Sequence, residues 1–284
     1  MIPAAFDYHL ATSLDDALKR LAKGAGGAKA IAGGQSLLPL MKLRLARPET
    51  LIDIGQLAEL KGVRRMPDGR VAVGALTTYD EMLRDPILRF YGLLADALPN
   101  IGDVQVRNRG TIGGSIAHAD PASDMPAILL ALDAEVVARS SRDERILPIT
   151  SFFEGAFTSA LNPDELITEI RLPGGREDVG SAYRAIEQPA SGYSIAGVAA
   201  IVGAQAGNRW GFCAVGVTGV GEHPYRATAV EKAILAGDDL ARAAAHATDG
   251  VTVASDIHAD REYRTHVASV QVLRALEAAI ARLG

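Results

Sequence analysis

The sequence predicts an α+β protein in which strands and helices are grouped rather than strictly alternating. Its first part mixes the two patterns at roughly equal weight and carries hairpin signals, which favour this class over a strand–helix–strand repeat. Between Leu172 and Gly180, the segment LPGGREDVG concentrates proline, glycine and charge, as domain boundaries do. Three strand-like runs and then three alanine-rich helical runs follow it. We therefore expect two domains, residues 1–176 and 177–284.

The N-terminal part opens with a helix and continues with short strands. Ser13 can cap a helix whose apolar side chains recur at helical spacing as far as Gly24. Short apolar runs bounded by turn residues predict strands, and a Pro-Asp-Gly turn between two valine-containing runs predicts a hairpin. These strand predictions are 28–32, 50–55 and the hairpin of Val63 with Val71–Val73 around 67–69.

Further helices and a strand pair complete this part. Thr77 can cap a helix through Leu83, and residues 86–98 predict the next helix. Residues 125–132 are apolar on most sides, which is typical of a helix buried all round. The two runs that alternate as paired strands are 134–140 and 144–149.

The C-terminal part predicts a meander of strands covered by a helical layer. Apolar residues recur in this part first at the spacing typical of strands and then at the spacing typical of helices. The strand runs are 181–187, 194–205 and 209–217, with a turn at 206–208, and the helical runs are 226–236, 239–248 and 261–282.

The composition is that of an ordinary globular protein. Of the 284 residues, 48% are hydrophobic and 22% are charged, which argues against disorder. The 29 basic and 34 acidic residues give a formal net charge of -5, and no basic run stands out. This charge pattern argues against nucleic acid as the main partner.

Cysteine usage and the N-terminal segment restrict the chemistry and the location. Cys213 is the only cysteine, so the chain has no internal disulfide and cannot alone supply the clustered ligands of a zinc or iron–sulfur site. The N-terminus lacks the basic and apolar segments of a signal peptide, and no apolar run approaches the roughly 20 residues of a membrane span. We expect a cytoplasmic protein, with any membrane association peripheral and made through a complex.

The first candidate site is a Gly-Gly turn between a predicted strand and a predicted helix, AGGQSL at 32–37. Glycine permits positive φ and lets a ligand approach the backbone, and successive amide groups before a helix suit a phosphate. Ser36 can add a hydroxyl donor. The alternative is a plain strand–helix turn, which is the more frequent role of an isolated Gly-Gly pair.

The second candidate site repeats this pattern at TIGGS, 111–115. Two such loops facing each other could hold the two phosphates of a pyrophosphate. Neither loop matches G-x-G-x-x-G or G-x-x-x-x-G-K-[ST], which disfavours the Rossmann fingerprint and the P-loop. The pair favours a nucleotide cofactor without identifying it.

A cluster of polar residues, HADPASD, contains His118, Asp120 and Asp124. Three readings are open: the carboxylates cap a helix that starts near Pro121, one of them accepts a hydrogen bond from a sugar hydroxyl, or the group binds a metal. Metal binding is the weakest of these, because no further ligands lie nearby in the sequence. Tyr193, after Pro-Ala-Ser-Gly, can pack at an edge or lie against a planar ligand. No Ser-His-Asp arrangement is present.

Taken together, the segments 32–55 and 101–127 resemble the FAD-binding medium subunit of molybdenum hydroxylases, the family of xanthine dehydrogenase and bacterial carbon monoxide dehydrogenase. The resemblance covers nearly the whole chain and is strongest to the carbon monoxide dehydrogenase group. It implies a two-subdomain FAD-binding domain of the vanillyl-alcohol-oxidase (PCMH) type, followed by a CO dehydrogenase flavoprotein C-terminal domain.

The resemblance also implies which residues bind the cofactor, and it implies no catalytic residue and no metal ligand in this chain. The family's first pyrophosphate loop is matched by Ala30, Ile31, Ala32, Gly33, Gly34, Gln35, Ser36 and Leu37, and its second by Thr111, Ile112, Gly113, Gly114 and Ser115. At single positions, Ile101 matches an apolar residue beside the cofactor, Asp124 a carboxylate that contacts it, and Ile167 a backbone contact near the flavin. Arg184 matches a cation, and Tyr193 matches a residue beside the isoalloxazine ring.

Two positions depart from the family pattern. Arg184 stands where members often carry lysine, and the two cations differ in geometry and hydration. Gln35 stands where some carbon monoxide dehydrogenase flavoproteins have histidine, so the sequence does not select that substrate.

The implied function is electron transfer within a complex. A large subunit with a molybdenum cofactor oxidises the substrate, and a small subunit passes electrons through [2Fe-2S] clusters to the FAD of this chain. An external acceptor, a quinone or NAD, then removes them, and the complex is expected to be a dimer of heterotrimers. The alternatives are the medium subunit of an aldehyde or N-heterocycle dehydrogenase, a stand-alone FAD oxidoreductase, and a scaffold whose glycine loops only turn the chain.

Overall fold

A computed structural model of the chain describes residues 2–176, 178–203, 205–206 and 209–283. Over these ranges the chain forms a small parallel sheet, a five-stranded antiparallel sheet and a four-stranded antiparallel sheet, each with its own helices. The predicted α+β class is therefore confirmed. The predicted turn at 206–208 and the predicted domain start at 177 include positions outside the described residues. No helix in the described ranges is both long and apolar enough to cross a bilayer.

The first unit is a three-stranded parallel sheet with strand order β1-β3-β2. As predicted, Ser13 caps the first helix, and its hydroxyl accepts a hydrogen bond from the amide of Asp16 at 3.1 Å. The apolar face of that helix is buried against the sheet. The elements are β1 (Asp7–Leu10), α1 (Leu14–Lys23), β2 (Ala28–Ile31), α2 (Leu37–Lys42) and β3 (Thr50–Asp53).

The second unit is a five-stranded antiparallel sheet with order β4-β5-β10-β6-β7, and a small hairpin of β8 and β9. The two predicted strand pairs, β4 with β5 and β6 with β7, are both present. Its strands are β4 (Val63–Arg65), β5 (Val71–Gly74), β6 (Glu135–Arg139), β7 (Glu144–Pro148), β8 (Phe153–Gly155), β9 (Thr158–Ser159) and β10 (Leu166–Leu172). Its helices are α3 (Tyr79–Arg84), α4 (Gly92–Ala97), α5 (Val104–Arg109), α6 (Ile112–His118) and α7 (Asp124–Ala131).

Two helix predictions in this unit were wrong in detail. The cap of α3 is Thr78, which forms a capping box with Glu81, whereas the hydroxyl of Thr77 accepts a hydrogen bond from Gly62 at 2.9 Å. The predicted helix at 86–98 is divided, because Tyr91 is extended between a short 3-10 turn and α4. That conformation lets the Tyr91 hydroxyl donate to the carbonyl of Pro173 at 2.6 Å.

The third unit is an antiparallel sheet with order β11-β12-β15-β16, covered by helices. The predicted meander and helical layer are both present, and the predicted boundary segment lies where β10 ends at Leu172 and β11 begins at Val179. The strands are β11 (Val179–Glu187), β12 (Ser194–Gly203), β13 (Gln205–Ala206), β14 (Arg209–Trp210), β15 (Cys213–Thr218) and β16 (Tyr225–Arg226). The helices are α8 (Thr228–Ala236), α9 (Leu240–Ala245) and α10 (Arg261–Ile280).

The predicted strand at 209–217 is interrupted. Trp210 pairs with Gln205 in the two-stranded β13–β14 ribbon, whereas the main sheet resumes at Cys213. At the break, the ring of Phe212 lies under the guanidinium group of Arg176, 4.5 Å from the ring centre. The strand prediction missed this change of partner because no turn signal divides the run RWGFCAVGV.

Helix α7 lies between two sheets, which explains why it is apolar all round. Every residue from Met125 to Ala131 is buried. One side of the helix belongs to the core of the five-stranded sheet, and Ala199 and Ile201 of β12 join that core from the other side. The alternate positions of β12, such as Val198 and Ala200, face the helices of the C-terminal unit instead. The C-terminal sheet is therefore buried on both faces.

The turn before α7, residues 121–123, is held by donors from the C-terminal sheet. The amide of Gly219 donates to the carbonyl of Pro121 at 2.7 Å, and the amide of Ser194 donates to that of Ala122 at 3.3 Å. The hydroxyl of Thr218 lies 2.8 Å and 2.7 Å from the carbonyl oxygens of Pro121 and Ser123. These bonds give the three carbonyl groups of the turn partners in the C-terminal sheet and fix the position of the turn.

Asp96 of α4 forms a second connection between the same two units. Its carboxylate accepts a bidentate pair from Arg282 at 2.7 and 3.0 Å and a bond from the amide of Tyr183 at 3.0 Å. Arg184 lies 3.5 Å away on the same side. The carboxylate thereby satisfies an amide on the free edge of β11.

Replacing Asp96 with asparagine is expected to lower the free energy of unfolding by about 1–3 kcal/mol, because Arg282 and the Tyr183 amide lose their ionised acceptor. Chemical denaturation followed by circular dichroism measures the change. Arg84→Ala is the control, since its pair with Asp80 is largely solvated and is worth at most about 1 kcal/mol. Equal stability of the two variants would contradict the connection.

Candidate functional site

The predicted site residues meet at one cleft of about 910 Å³. Its walls come from the loop after β2, the start of α6, the strand β10 and the loop before β12. All the predicted residues line it except two. Those outside the lining are Ile112, whose side chain is buried in the core, and Arg184.

The first loop presents unpaired backbone amides to the cleft. Gly34 has φ +75°, which glycine adopts without strain, and the chain enters α2 through Ser36. Among the described residues, no group accepts a hydrogen bond from the amides of 33–37, and the first amide of this region with an internal partner is that of Leu38, bonded to Gly34 at 3.1 Å. Such a run of free amides suits an anionic ligand.

The second loop differs from the first, because the protein itself occupies its amides. The amide of Ile112 donates to Thr77 and that of Gly113 to Ala75, at 3.1 and 2.9 Å. Gly114 donates to the hydroxyl of its helix cap, Thr111, at 3.2 Å, and Ser115 donates to the Thr111 carbonyl at 3.0 Å. The second loop therefore differs from the first in offering hydroxyl groups and open space rather than free amides.

The two loops pack directly against each other. A Cβ added at Gly33 would overlap the carbonyl group of Arg109, so this glycine is required by packing. A Cβ added at Gly114 would meet only the Thr111 hydroxyl at 2.8 Å and the Cβ of Ala32 at 3.9 Å, and would otherwise point into open space. Gly33 thus joins the loops, whereas Gly114 leaves room between them.

The HADPASD segment forms a turn and the start of a helix. Helix α7 begins at Asp124 after Ser123, later than the predicted start near Pro121, and the Asp120 carboxylate accepts from the amide of Ala122 at 2.9 Å. Burial raises the pKa of Asp120 and of Asp124. In the described ranges, no cluster of His, Cys, Asp or Glu suited to a metal ion occurs.

The rim of the cleft carries two exposed aromatic side chains. Tyr193 is 46% exposed and Phe157 is 58% exposed, and the Phe157 ring lies 5.2 Å from that of His118. Burial lowers the pKa of His118. The amide of Phe157 donates to Ala119 at 3.0 Å, and both residues have positive φ. Sequence reasoning did not find Phe157, because nothing local marks a left-handed phenylalanine.

The structure does not bring Arg184 to the cleft, because side chains alternate along β11. Tyr183 faces the cleft side and donates to Asp124, so the next residue lies on the opposite face, where Arg184 contacts Asp96. Sequence reasoning missed Tyr183 and Ser194, which both bond to Asp124 from the other domain. Only long-range pairing could have revealed them.

Two protein families match the chain. The family described as the FAD binding domain in molybdopterin dehydrogenase matches residues 4–175, and the CO dehydrogenase flavoprotein C-terminal domain matches residues 181–279. Together they cover both parts of the fold, which confirms the predicted architecture of two FAD-binding subdomains followed by a flavoprotein C-terminal domain.

Relatives match over their full length. The chain is 37% identical to the carbon monoxide dehydrogenase medium chain of Hydrogenophaga pseudoflava, covering 99% of each chain. It is also 37% identical to the 6-hydroxypseudooxynicotine dehydrogenase complex subunit alpha of Paenarthrobacter nicotinovorans, over 99% of this chain and 97% of that one. A solved structure of the Hydrogenophaga pseudoflava carbon monoxide dehydrogenase lacking the Mo-pyranopterin moiety of the molybdenum cofactor superposes with a TM-score of 0.95, at 38% identity over 100% of both chains.

Replacing Gly33 with alanine is expected to destabilise the protein by about 2–3 kcal/mol, because the new methyl group overlaps a backbone carbonyl that cannot move independently. Thermal and chemical unfolding measure the loss. Gly175→Ala is the control, since nothing lies within 4 Å of a Cβ at that position. If both variants unfold like the wild type, the close contact between the loops is wrong.

Proposed function

The chain belongs to the family of FAD-binding medium subunits of molybdenum hydroxylases, and from that premise we propose that it carries electrons from the [2Fe-2S] clusters of a partner subunit, through FAD, to an external acceptor. The observation that carries the proposal is the run of unpaired amides at 33–37 on the wall of a cleft large enough for a dinucleotide. No side chain of the cleft is assigned an acid or base role, because electron transfer requires none.

The residues of the cleft fit FAD by their chemistry. The amides of Gly33 through Leu37 would hold the pyrophosphate, and the hydroxyls of Thr111 and Ser115 would supply further donors. When bound in the cleft, FAD would supply the redox chemistry of its flavin ring. The surrounding residues would bind and orient it, and the buried side chains of Ile167 and Tyr79 in the cleft wall would help to exclude water from it.

In the proposed complex, the metal centres are carried by partner chains. Both relatives are named as one chain or subunit of a dehydrogenase, and the related structure is named for a molybdenum cofactor. We propose a large molybdenum subunit, a small iron–sulfur subunit and a dimer of such heterotrimers, with a quinone or NAD as acceptor. The domain boundary at 176/177 remains part of this proposal, supported by a second core made only of residues that follow it, from Ala182 to Ala279.

The substrate of the whole enzyme is left open. The chain is equally similar, at 37% identity, to relatives whose names specify carbon monoxide and 6-hydroxypseudooxynicotine. Relatives at 37% and 35% identity are named for glyceraldehyde and caffeine, so an aldehyde or N-heterocycle dehydrogenase is supported as well as a carbon monoxide dehydrogenase.

The electron route is tested with the complex assembled from this chain and the products of its neighbouring genes. We expect FAD to be released on denaturation, and iron and molybdenum to co-purify with the chain. In complex stripped of FAD, clusters reduced by titanium(III) citrate should be reoxidised by a quinone or by NAD only after FAD is restored. Equally fast reoxidation without FAD would refute the route, and a colourless chain that FAD cannot reconstitute would refute the function.

Replacing Gly114 with valine is expected to abolish FAD binding while the fold is retained, because the branched side chain enters the open space between the loops. FAD fluorescence titration and thermal melting report on the two properties separately. Gly175→Val is the control for a valine elsewhere on the surface, and full FAD occupancy in Gly114→Val would refute the loop assignment.

Replacing Tyr193 with alanine is expected to leave FAD bound but to change the rate of flavin reoxidation, because an exposed aromatic wall of the cleft is lost. Stopped-flow reoxidation of the reduced complex measures the rate. The control is Tyr263→Ala, a tyrosine of similar exposure on α10 that does not line the cleft. Identical kinetics in both variants would count against a position of Tyr193 at the ring.

A further inference from the structure

The carboxyl group of Asp124 connects the two domains at the wall of the cleft. Its Oδ1 atom accepts hydrogen bonds from the hydroxyls of Tyr183 at 2.5 Å and Ser194 at 2.6 Å, both on the C-terminal sheet. Asp124 lines the cleft, whereas the other two side chains do not. In the described part of the chain, no other residue donates to the second oxygen, Oδ2. One oxygen is fully engaged, and the other is free to accept from a ligand.

The C-terminal sheet is shaped so that Tyr183 reaches Asp124. The tyrosine hydroxyl occupies the space that a Cβ at Gly197 would fill, so this position of β12 has to be glycine. The amide of the same tyrosine donates to Asp96 at 3.0 Å. Tyr183 is therefore held by two carboxylates of the N-terminal part, since its amide donates to Asp96 and its hydroxyl donates to Asp124.

The two hydroxyl groups also favour the ionised form of the carboxyl group. Burial raises the pKa of Asp124, and the hydrogen bonds from Ser194 and Tyr183 lower it. Within the described ranges, none of the other titratable groups that face it carries a positive charge, and nearby Asp120 opposes its ionisation. These other groups are Asp120 in the preceding turn, Glu187 on β11, Tyr79 on α3 and Tyr193 in the loop before β12.

We propose that Tyr183 and Ser194 are positioning residues through which the C-terminal domain sets the affinity for FAD. They orient the Asp124 carboxylate so that Oδ2 accepts a hydrogen bond from a hydroxyl group of the cofactor, without touching the cofactor themselves. This inference rests on the proposed binding of FAD in the cleft. It gives the C-terminal domain a part in cofactor binding that extends beyond the rim loop at Tyr193.

The test compares FAD binding by the full chain in its wild-type form and in the variants Tyr183→Phe and Ser194→Ala. FAD is removed, and its dissociation constant is measured by fluorescence titration across the acidic to neutral range. Each variant is expected to bind FAD about tenfold more weakly at neutral pH, the factor expected for one lost hydrogen bond to a charged group.

The pH dependence separates positioning from a structural effect. Affinity should fall as pH drops and Asp124 takes up a proton. Removing a hydroxyl donor raises the pKa of that carboxyl group, so the fall should begin about one pH unit higher in each variant. Tyr225→Phe is the matched control, because this buried tyrosine also loses one hydrogen bond, to Ala247 at 2.9 Å, but does not contact Asp124.

A double-mutant cycle completes the experiment and guards against misfolding of one variant. In the Asp124→Asn background, Tyr183→Phe should change neither the FAD dissociation constant nor its pH dependence. Additive effects in this background would overturn the inference, as would a wild-type pH profile in both single variants. Either result leaves the proposed function intact as long as the wild-type chain binds FAD, whereas failure of the wild type to bind overturns both.

Discussion

The hydrogen bonds that seat residues 121–124 in the C-terminal sheet determine the shape of the cleft. The carbonyl groups of this half-buried turn accept hydrogen bonds across the domain boundary, from Thr218, Gly219 and the amide of Ser194. The guanidinium group of Arg264, buried in α10, in turn contacts the carbonyls of Ile195 and Gly219 and holds the segments that carry those donors. Because the turn leads directly into α7, these bonds fix both the wall of the cleft and the helix behind it.

Much of the fold could be predicted, because its signals are local. The cap at Ser13, the valine hairpin and the all-apolar α7 each depend on residues within one or two turns of chain. The errors occurred where a distant partner overrides the local pattern. The predicted helix at 86–98 is interrupted at Tyr91, whose hydroxyl donates to the carbonyl of Pro173. The predicted strand at 209–217 is interrupted next to Phe212, whose ring lies beneath the guanidinium group of Arg176. Neither partner can be inferred from periodicity.

The site was predictable to the same extent. Its glycine loops are short local motifs, and the resemblance of the whole chain to a known family identified the cofactor. The sequence could not distinguish the loops, since which amides remain free depends on Thr77 and Ala75, far from the second loop along the chain. The position of Arg184 was missed because the face of β11 that meets the cleft follows from its pairing with β12, and not from residue type.

The burial of α7 on all sides also constrains how the protein is made. A nascent chain that has reached the end of β10 has completed both glycine loops, yet one side of α7 still lacks the sheet that covers it. An exposed apolar helix of this kind is a target for chaperones and a source of aggregation until the remaining strands emerge from the ribosome. Because Ser194, Thr218 and Gly219, the donors that hold the turn before α7, follow both glycine loops in the chain, the wall of the cleft is complete only after the C-terminal sheet has been synthesised.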